Sequence, residues 1–190
     1  DFKLINPYIF FIYNTYLKIN NFNVMIDSSG YRKNVGIILV NSRSELLICK
    51  RFKEQSWQFP QGGFKKNETA ESAMYRELYE ETGLKKNDVL IIGRTKEWLK
   101  YELPKKYQRK TNNQLCVGQK QIWFLLKLAT DDAFINLNVS KKPEFDGWRW
   151  VSKQEPLDLV INFKKNVYEM AINELMPLLD LSERQKYKNA

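Results

Sequence analysis

From residue 31 onward, short apolar runs alternate with polar turns, and two segments carry a helical period. Val35-Gly36-Ile37-Ile38-Leu39-Val40 and Glu45-Leu46-Leu47-Ile48-Cys49 read as two strands joined by the turn Asn41-Ser42-Arg43-Ser44. Further strands are predicted at residues 57–59, 89–93, 97–103, 119–128 and 147–151. The run Ile122-Trp123-Phe124-Leu125-Leu126 is apolar at every position, as a strand covered on both faces should be. A first helix is predicted over residues 69–82, with Asn67 or Thr69 as its N-cap and Gly83 placed to end it. A second is predicted over residues 166–179, where Val167, Ala171, Leu175 and Leu178 recur at helical spacing and Pro177 is expected to bend or shorten the last turn. These elements predict an α/β fold, a mixed β-sheet between helices in an α/β/α sandwich.

Composition narrows the chemistry. The 190 residues, 43% of them hydrophobic, supply one core and too little length for two comfortable domains. Residues 1–24 differ from the rest, rich in Asn, Tyr, Phe and Ile with few charges, and Met25 follows them. The expected organisation is therefore an N-terminal appendage (1–24), one domain (25–180) and a short C-terminal tail (181–190). The most apolar stretch, residues 7–13, is broken at Asn14 and Thr15, far short of the ~20 residues of a spanning helix, so no membrane partner is expected. Lys and Arg number 31 against 22 Asp and Glu, a net charge of +9 that suits a polyanionic partner or serves solubility alone. Lys105, Lys106, Arg109 and Lys110 concentrate part of it in the loop 104–118, which by itself reads as a solvated charge run. The absence of His excludes Ser-His-Asp and Cys-His nucleophiles and His-ligated zinc. Cys49 and Cys116 are too few for a zinc tetrad or a disulfide scaffold, and read as reduced thiols of a cytoplasmic protein.

The informative stretch runs from Gly62 to Leu84. On a helix, Glu77, Glu80 and Glu81 fall within an arc of about 100° on adjacent turns. Like charges so close disfavour one another unless a cation intervenes, and hard carboxylate oxygens suit Mg²⁺ or Mn²⁺. Ala73 and Ala70 occupy the same arc one and two turns earlier, so the helix can lie close to a sheet while its acidic end faces a cleft. Gly62 and Gly63 supply a tight turn that can bring a backbone carbonyl, that of Gly62, toward the same ion. The alternative is an exposed helix with charge pairs. Against it, Arg76 is the only base between Glu68 and Glu81 to offset five acids.

The pattern Gly62-x5-Glu68-x7-Arg76-Glu77-Leu78-x-Glu80-Glu81-x-Gly83-Leu84 resembles the Nudix box at every defined position. Within that superfamily the chain resembles the bacterial RNA pyrophosphohydrolase branch. The likeness is carried by Gly30-Tyr31-Arg32-Lys33-Asn34-Val35-Gly36, by Ser56-Trp57-Gln58-Phe59-Pro60-Gln61-Gly62-Gly63 and by Gly118-Gln119-Lys120-Gln121. Pro143-Glu144-Phe145-Asp146-Gly147-Trp148-Arg149-Trp150-Val151 adds to it, so it extends from residue 25 to about 175. Lys33 stands where this branch commonly has proline, and Phe64-Lys65-Lys66-Asn67 departs from its Gly-containing turn. The resemblance implies removal of pyrophosphate from RNA carrying a 5′-triphosphate, leaving a 5′-monophosphate that promotes mRNA decay.

Residue by residue, the resemblance implies that Glu77, Glu80, Glu81 and Glu144 hold divalent metal, Mg²⁺ or Mn²⁺. Arg76 would pair with carboxylates, Glu68 among them, and fix the turn before the helix, with Gly62 and Gly83 as structural positions. With no His, Glu81 or Glu144 is expected to take the proton of the attacking water, activation by the ion alone being the alternative. Arg32, Arg51, Tyr101, Gln119, Phe163 and Lys164 are the expected substrate contacts, Phe163 reading equally as the first core residue of the second helix. The basic loop would give counter-charge to single-stranded RNA leaving the cleft, with no DNA partner expected. Two other readings remain, a hydrolase of dinucleoside polyphosphates and an inactive RNA-binding module of the same fold.

Overall fold

The computed structural model describes residues 25–188 apart from residue 112; the expected appendage, residues 1–24, and the end of the expected tail, residues 189–190, lie outside the described residues. In chain order the strands are β1 (Tyr31–Val40), β2 (Leu46–Arg51), β3 (Trp57–Gln58), β4 (Gln61–Gly63), β5 (Val89–Arg94), β6 (Leu99–Glu102), β7 (Arg109–Thr111), β8 (Gln114–Cys116), β9 (Gly118–Leu128) and β10 (Phe145–Val151). The helices are α1 (Ala70–Thr82), α2 (Glu155–Leu159) and α3 (Asn162–Lys188). β1 and β9 run parallel through the middle, Tyr31 opposite Gly118 and Val40 opposite Lys127. The main order is β10-β2-β1-β9-β5, with β3, β4 and β6 pairing β2, β1 and β9, an eight-stranded mixed sheet among the described residues.

Strand alternation divides the core into two. Val35, Ile37, Leu39, Leu47, Ile122, Phe124 and Leu126 face α1, meeting Ala73, Met74 and Leu78. Ile38, Val40, Ile48, Trp123 and Leu125 face α3, meeting Val167, Tyr168, Ala171, Ile172 and Leu175. The sheet is thus covered on both faces, the expected sandwich. On the α3 side the Phe59, Trp123 and Tyr168 rings cluster, Phe59 lying 4.9 Å from Tyr168 and 5.8 Å from Trp123, centroid to centroid. Each buried ring contributes about 1.5–3 kcal/mol. The Phe59 N–H also donates to the Tyr168 hydroxyl at 3.0 Å and the Ile37 N–H to the Pro60 carbonyl at 2.9 Å, so the segment carrying β3 and β4 is pinned across β1.

Several elements differ from expectation. The second helix starts four residues earlier than residue 166 and runs through Pro177 to Lys188, so residues 181–188 extend it. Pro177 is exposed, as is Asn173, whose carbonyl loses its intrahelical partner, so the missing bond falls on the solvent side of the helix. The loop 104–118 is not a plain charge run: it folds into a short turn at Lys105–Tyr107 and the β7–β8 hairpin. Strand β4 and helix α2 lie in segments too short to show a period. Among the described residues, no helix is long and apolar enough to cross a membrane.

Candidate active site

Helix α1 is set by its ends. The Thr69 hydroxyl accepts from the Ser72 N–H at 3.1 Å, and Gly83 closes the helix at φ 74°, its N–H donating to the Tyr79 carbonyl at 2.9 Å. The buried stripe begins with Ala73, Met74 and Leu78 and includes Glu77 and Glu81. Small residues bring the helix close to the sheet, so its acidic end is carried inward instead of into water.

Arg76 organises the turn before the helix. Its Nε and Nη2 donate to the two oxygens of Glu68, both at 2.8 Å, and Nη2 also donates to the Gly63 carbonyl at 2.8 Å. Nη1 donates to Glu77 at 2.5 Å and, more weakly, to Glu80 at 3.5 Å. The expected Arg76–Glu68 pair is therefore present as a bidentate fork. It holds the Glu68 carboxyl below its usual range. Burial works to lower the Arg76 pKa, but Glu68 and Glu77 outweigh it and the guanidinium stays charged.

Glu77, Glu81 and Glu144 come together from two elements, α1 and the residue before β10. Glu81 is 4% exposed; its Oε2 accepts from the Gln61 N–H at 2.9 Å and its Oε1, fully buried, accepts no hydrogen bond. Burial, the adjoining Glu144 carboxyl and Glu77 raise the Glu81 pKa well above the carboxylate range. Glu77 is raised too, by burial first, with Arg76 opposing and Glu80 and Glu144 adding. Glu144 is tied to the floor through its carbonyl, which accepts from the Phe52 N–H at 2.8 Å. Glu80 stands apart from the other two on the helix. Its side chain is 39% exposed and lies 3.4 Å from Lys65 and 3.5 Å from Arg76. Gly62 supplies space: a methyl there would overlap the Glu77 carboxyl group.

On the α3 side a buried polar chain adjoins these acids. Gln58 Oε1 accepts from Arg51 Nη1 and Lys164 Nζ, each at 3.3 Å, and Arg51 Nε pairs with Glu54 at 3.2 Å. Lys164 is 1% exposed; burial and the neighbouring Arg51 push its pKa down to about 7, with Glu144, Glu81 and Glu54 opposing. Arg51 and Lys164 therefore lie inside the protein and not on an open surface. Gln119 accepts from Tyr101 Oη at 2.6 Å and Asn34 Nδ2 at 3.0 Å. Phe163 is on the first turn of α3, half-buried, 5.8 Å from the Tyr101 ring and 5.9 Å from Tyr107. Arg32 lies over Gly63. Asn34, Glu54, Gln58 and Gln61 escaped the sequence reading of this site. The available signal was polar side chains inside or between buried strands.

The box, its glutamates and the sandwich have a counterpart among known proteins: residues 30–171 match the NUDIX domain. The chain belongs to that family. It is 54% identical over 155 residues to an RNA pyrophosphohydrolase of Pasteurella multocida, covering 82% of this chain and 78% of the relative. An RNA pyrophosphohydrolase of Pseudomonas paraeruginosa is 52% identical over 155 residues, covering 82% and 98%. Among solved structures, the dihydroneopterin triphosphate pyrophosphohydrolase of E. coli superposes with a TM-score of 0.57 at 17% identity, over 74% of this chain and 95% of that one, a likeness of fold.

Nudix hydrolases generally require a divalent cation. The residues present fit one. Their donors are hard carboxylate oxygens, and the buried, unsatisfied Glu81 Oε1 beside Glu144 is an arrangement that ionises readily only with positive charge among the oxygens. Among the described residues no three acidic side chains already enclose a point as ligands, and Arg76 engages Glu77 and Glu80.

Proposed function

We propose that this Nudix protein is an RNA pyrophosphohydrolase, hydrolysing a phosphoanhydride bond of a 5′-triphosphate and leaving a 5′-monophosphate. The observation that carries the reaction is the position of Glu81, 4% exposed and held by the Gln61 N–H of β4, with the Glu144 and Glu77 carboxyls near enough to raise its pKa. RNA as substrate is supported by the relatives, which match 79–86% of the chain at about half identity and bear that activity as their name.

Glu77, Glu81 and Glu144 would hold Mg²⁺ or Mn²⁺, with Glu80 joining on leaving Arg76 and Lys65. Such an ion offsets charge on the phosphate oxygens and acidifies a water. Water attacks phosphorus, its proton passes to the carboxylate of Glu81 or Glu144, and the anhydride bond breaks to release pyrophosphate. Arg76 keeps Glu77 and the Gly63 turn in register throughout. Phe163 would line the nucleotide side, with Arg32 over Gly63, and the buried Tyr101, Gln119, Arg51 and Lys164 would support the wall from inside. Tyr107 packs on Phe163, so the basic segment from Lys105 to Lys110 would lie near the 5′ end of a bound RNA. The product is more labile to ribonucleases, which places the protein in mRNA decay. The free, buried Cys49 and Cys116 fit a reducing cytoplasm.

The test is pyrophosphate release from 5′-triphosphorylated RNA in Mg²⁺, compared with diadenosine tetraphosphate. Preference for the dinucleotide would overturn the RNA reading. An unchanged rate in Glu77→Gln would overturn the catalytic one.

A further inference from the structure

The sheet face that carries α1 extends beyond the helix. Past Val35 and Ile122, which lie in the core beneath α1, the next same-face positions toward the starts of β1 and β9 are Lys33 and Lys120, which are register partners. Lys120 is in turn opposite Lys100 of β6. Three lysines therefore stand in one row across three strands, about 10 Å from first to last at ordinary strand spacing.

Like charges directly opposite each other destabilise a sheet. Lys120 is offset by an ion pair with Asp27; among the described residues Lys33 and Lys100 have no acidic partner within ion-pair distance. Aromatic rings lie among the amines. Lys33 and Lys120 sit 5.8 and 5.3 Å from the Trp98 centroid, and Lys100 sits 5.4 Å from that of Tyr31. Trp98 is itself braced by Phe64, at 5.7 Å between centroids. The row touches the catalytic region at one end, where the Phe64 N–H donates to the Lys33 carbonyl at 3.1 Å, one residue beyond the Gly63 carbonyl held by Arg76. At its other end Lys100 is the chain neighbour of Tyr101, on the opposite face of β6. Nothing in the reaction uses these lysines.

Ammonium groups at regular spacing with ring faces between them match a chain of phosphates with bases between. We propose that Lys33, Lys120 and Lys100, with Trp98 and Tyr31, form a track for the RNA strand downstream of the reacting 5′ end. This rests on the RNA reading above. The track recognises backbone charge and base faces, not sequence, and it lengthens the contact without touching the chemistry.

The test measures binding by fluorescence anisotropy with 5′-monophosphorylated RNAs, one about a dozen nucleotides long and one a dinucleotide. The proteins compared are the wild type, Lys33→Gln/Lys100→Gln, the charge-keeping Lys33→Arg/Lys100→Arg, and Lys85→Gln/Lys86→Gln as a control of equal charge change. The control pair precedes β5, whose Val89 faces Leu128, eight residues along β9 from Lys120 and so about 26 Å away. Removing two phosphate contacts should flatten the dependence of log affinity on log salt by about 1.4, which is about sevenfold in affinity between ~50 and ~200 mM. The loss should appear with the long RNA, spare the dinucleotide, be restored by the Arg pair and be absent from the control.

An unchanged slope in the Gln pair overturns the track and points instead to an acidic protein partner. An equal loss in the control pair overturns it as general electrostatics. Binding is read on a product-like RNA that needs no turnover, so failure of the track and failure of the proposed reaction are seen separately: the latter shows as wild-type protein that binds the long RNA but releases no pyrophosphate.

Discussion

Gly62→Ala isolates the position of one carboxylate from the stability of the fold. Gly62 does not have a positive φ, so alanine suits its backbone, and the atoms its methyl would meet are the Cδ and both oxygens of Glu77, the mobile end of a side chain. That carboxyl must retreat by about 1.5 Å to reach ordinary contact, leaving its 2.5 Å hydrogen bond with Arg76. Misplacement of a catalytic group by about 1 Å can reduce a rate about 100-fold, or about 2.7 kcal/mol of transition-state stabilisation. We expect kcat/KM for triphosphorylated RNA to fall by about that factor or more, with the melting temperature lowered by only a few degrees. The assays are pyrophosphate release under saturating Mg²⁺ and thermal unfolding of the same preparation. A variant retaining at least a third of wild-type kcat/KM would refute the assignment of Glu77 to the reaction centre. A loss of activity matched by loss of fold would refute the steric account.

The raised Glu77 and Glu81 pKa values favour the fold below the ordinary carboxylate range and are a liability as pH rises through the raised values. Metal-free Glu81→Gln should therefore melt higher than wild type at pH 8 but not at pH 4.5, and Mn²⁺ should stabilise it less than wild type. Lys164 behaves with the opposite window: its folded pKa of about 7 lies below the ordinary value of 10.5, so its burial penalty is full below pH 7 and is relieved as pH rises from there. Lys164→Met should accordingly gain more stability at pH 6 than at pH 9, measured by denaturant titration. Arg76→Lys removes the bidentate fork to Glu68; we expect activity to drop about 10–100-fold, as when a residue orienting metal ligands is lost, measured as pyrophosphate release. Gly83→Ala forces a side chain into the φ 74° cap and against the Asn136 carbonyl, and should cost about 1 kcal/mol or more in denaturant unfolding.

Much of the site was legible because it is local. Thr69, Gly83 and the spacing of Arg76, Glu77, Glu80 and Glu81 follow from helix geometry, and the cap and the Arg76–Glu68 pair stand as read. The equal standing of the three helix glutamates was not legible. Periodicity put them on one patch, but depth separates Glu77 and Glu81, both buried, from Glu80 at the rim. The length of α3 was misread at Pro177, because a proline is judged as a breaker until its exposed side of the helix is known. The basic segment read as solvated charge became a turn and a hairpin, because antiparallel pairing of three-residue strands leaves almost no pattern.

By itself the sequence determined the alternation that covers the sheet twice, the caps of α1, and a donor set of carboxylates with no histidine. These are properties of neighbours along the chain, set by residue type and period. Only the tertiary structure decided that Glu144, from the edge of β10, meets Glu81, that Gln58 joins Arg51 to Lys164 in the interior, and that Lys33, Lys120 and Lys100 fall in one row. Burial and strand register act between residues far apart in the chain, and charge acquires its chemistry from both.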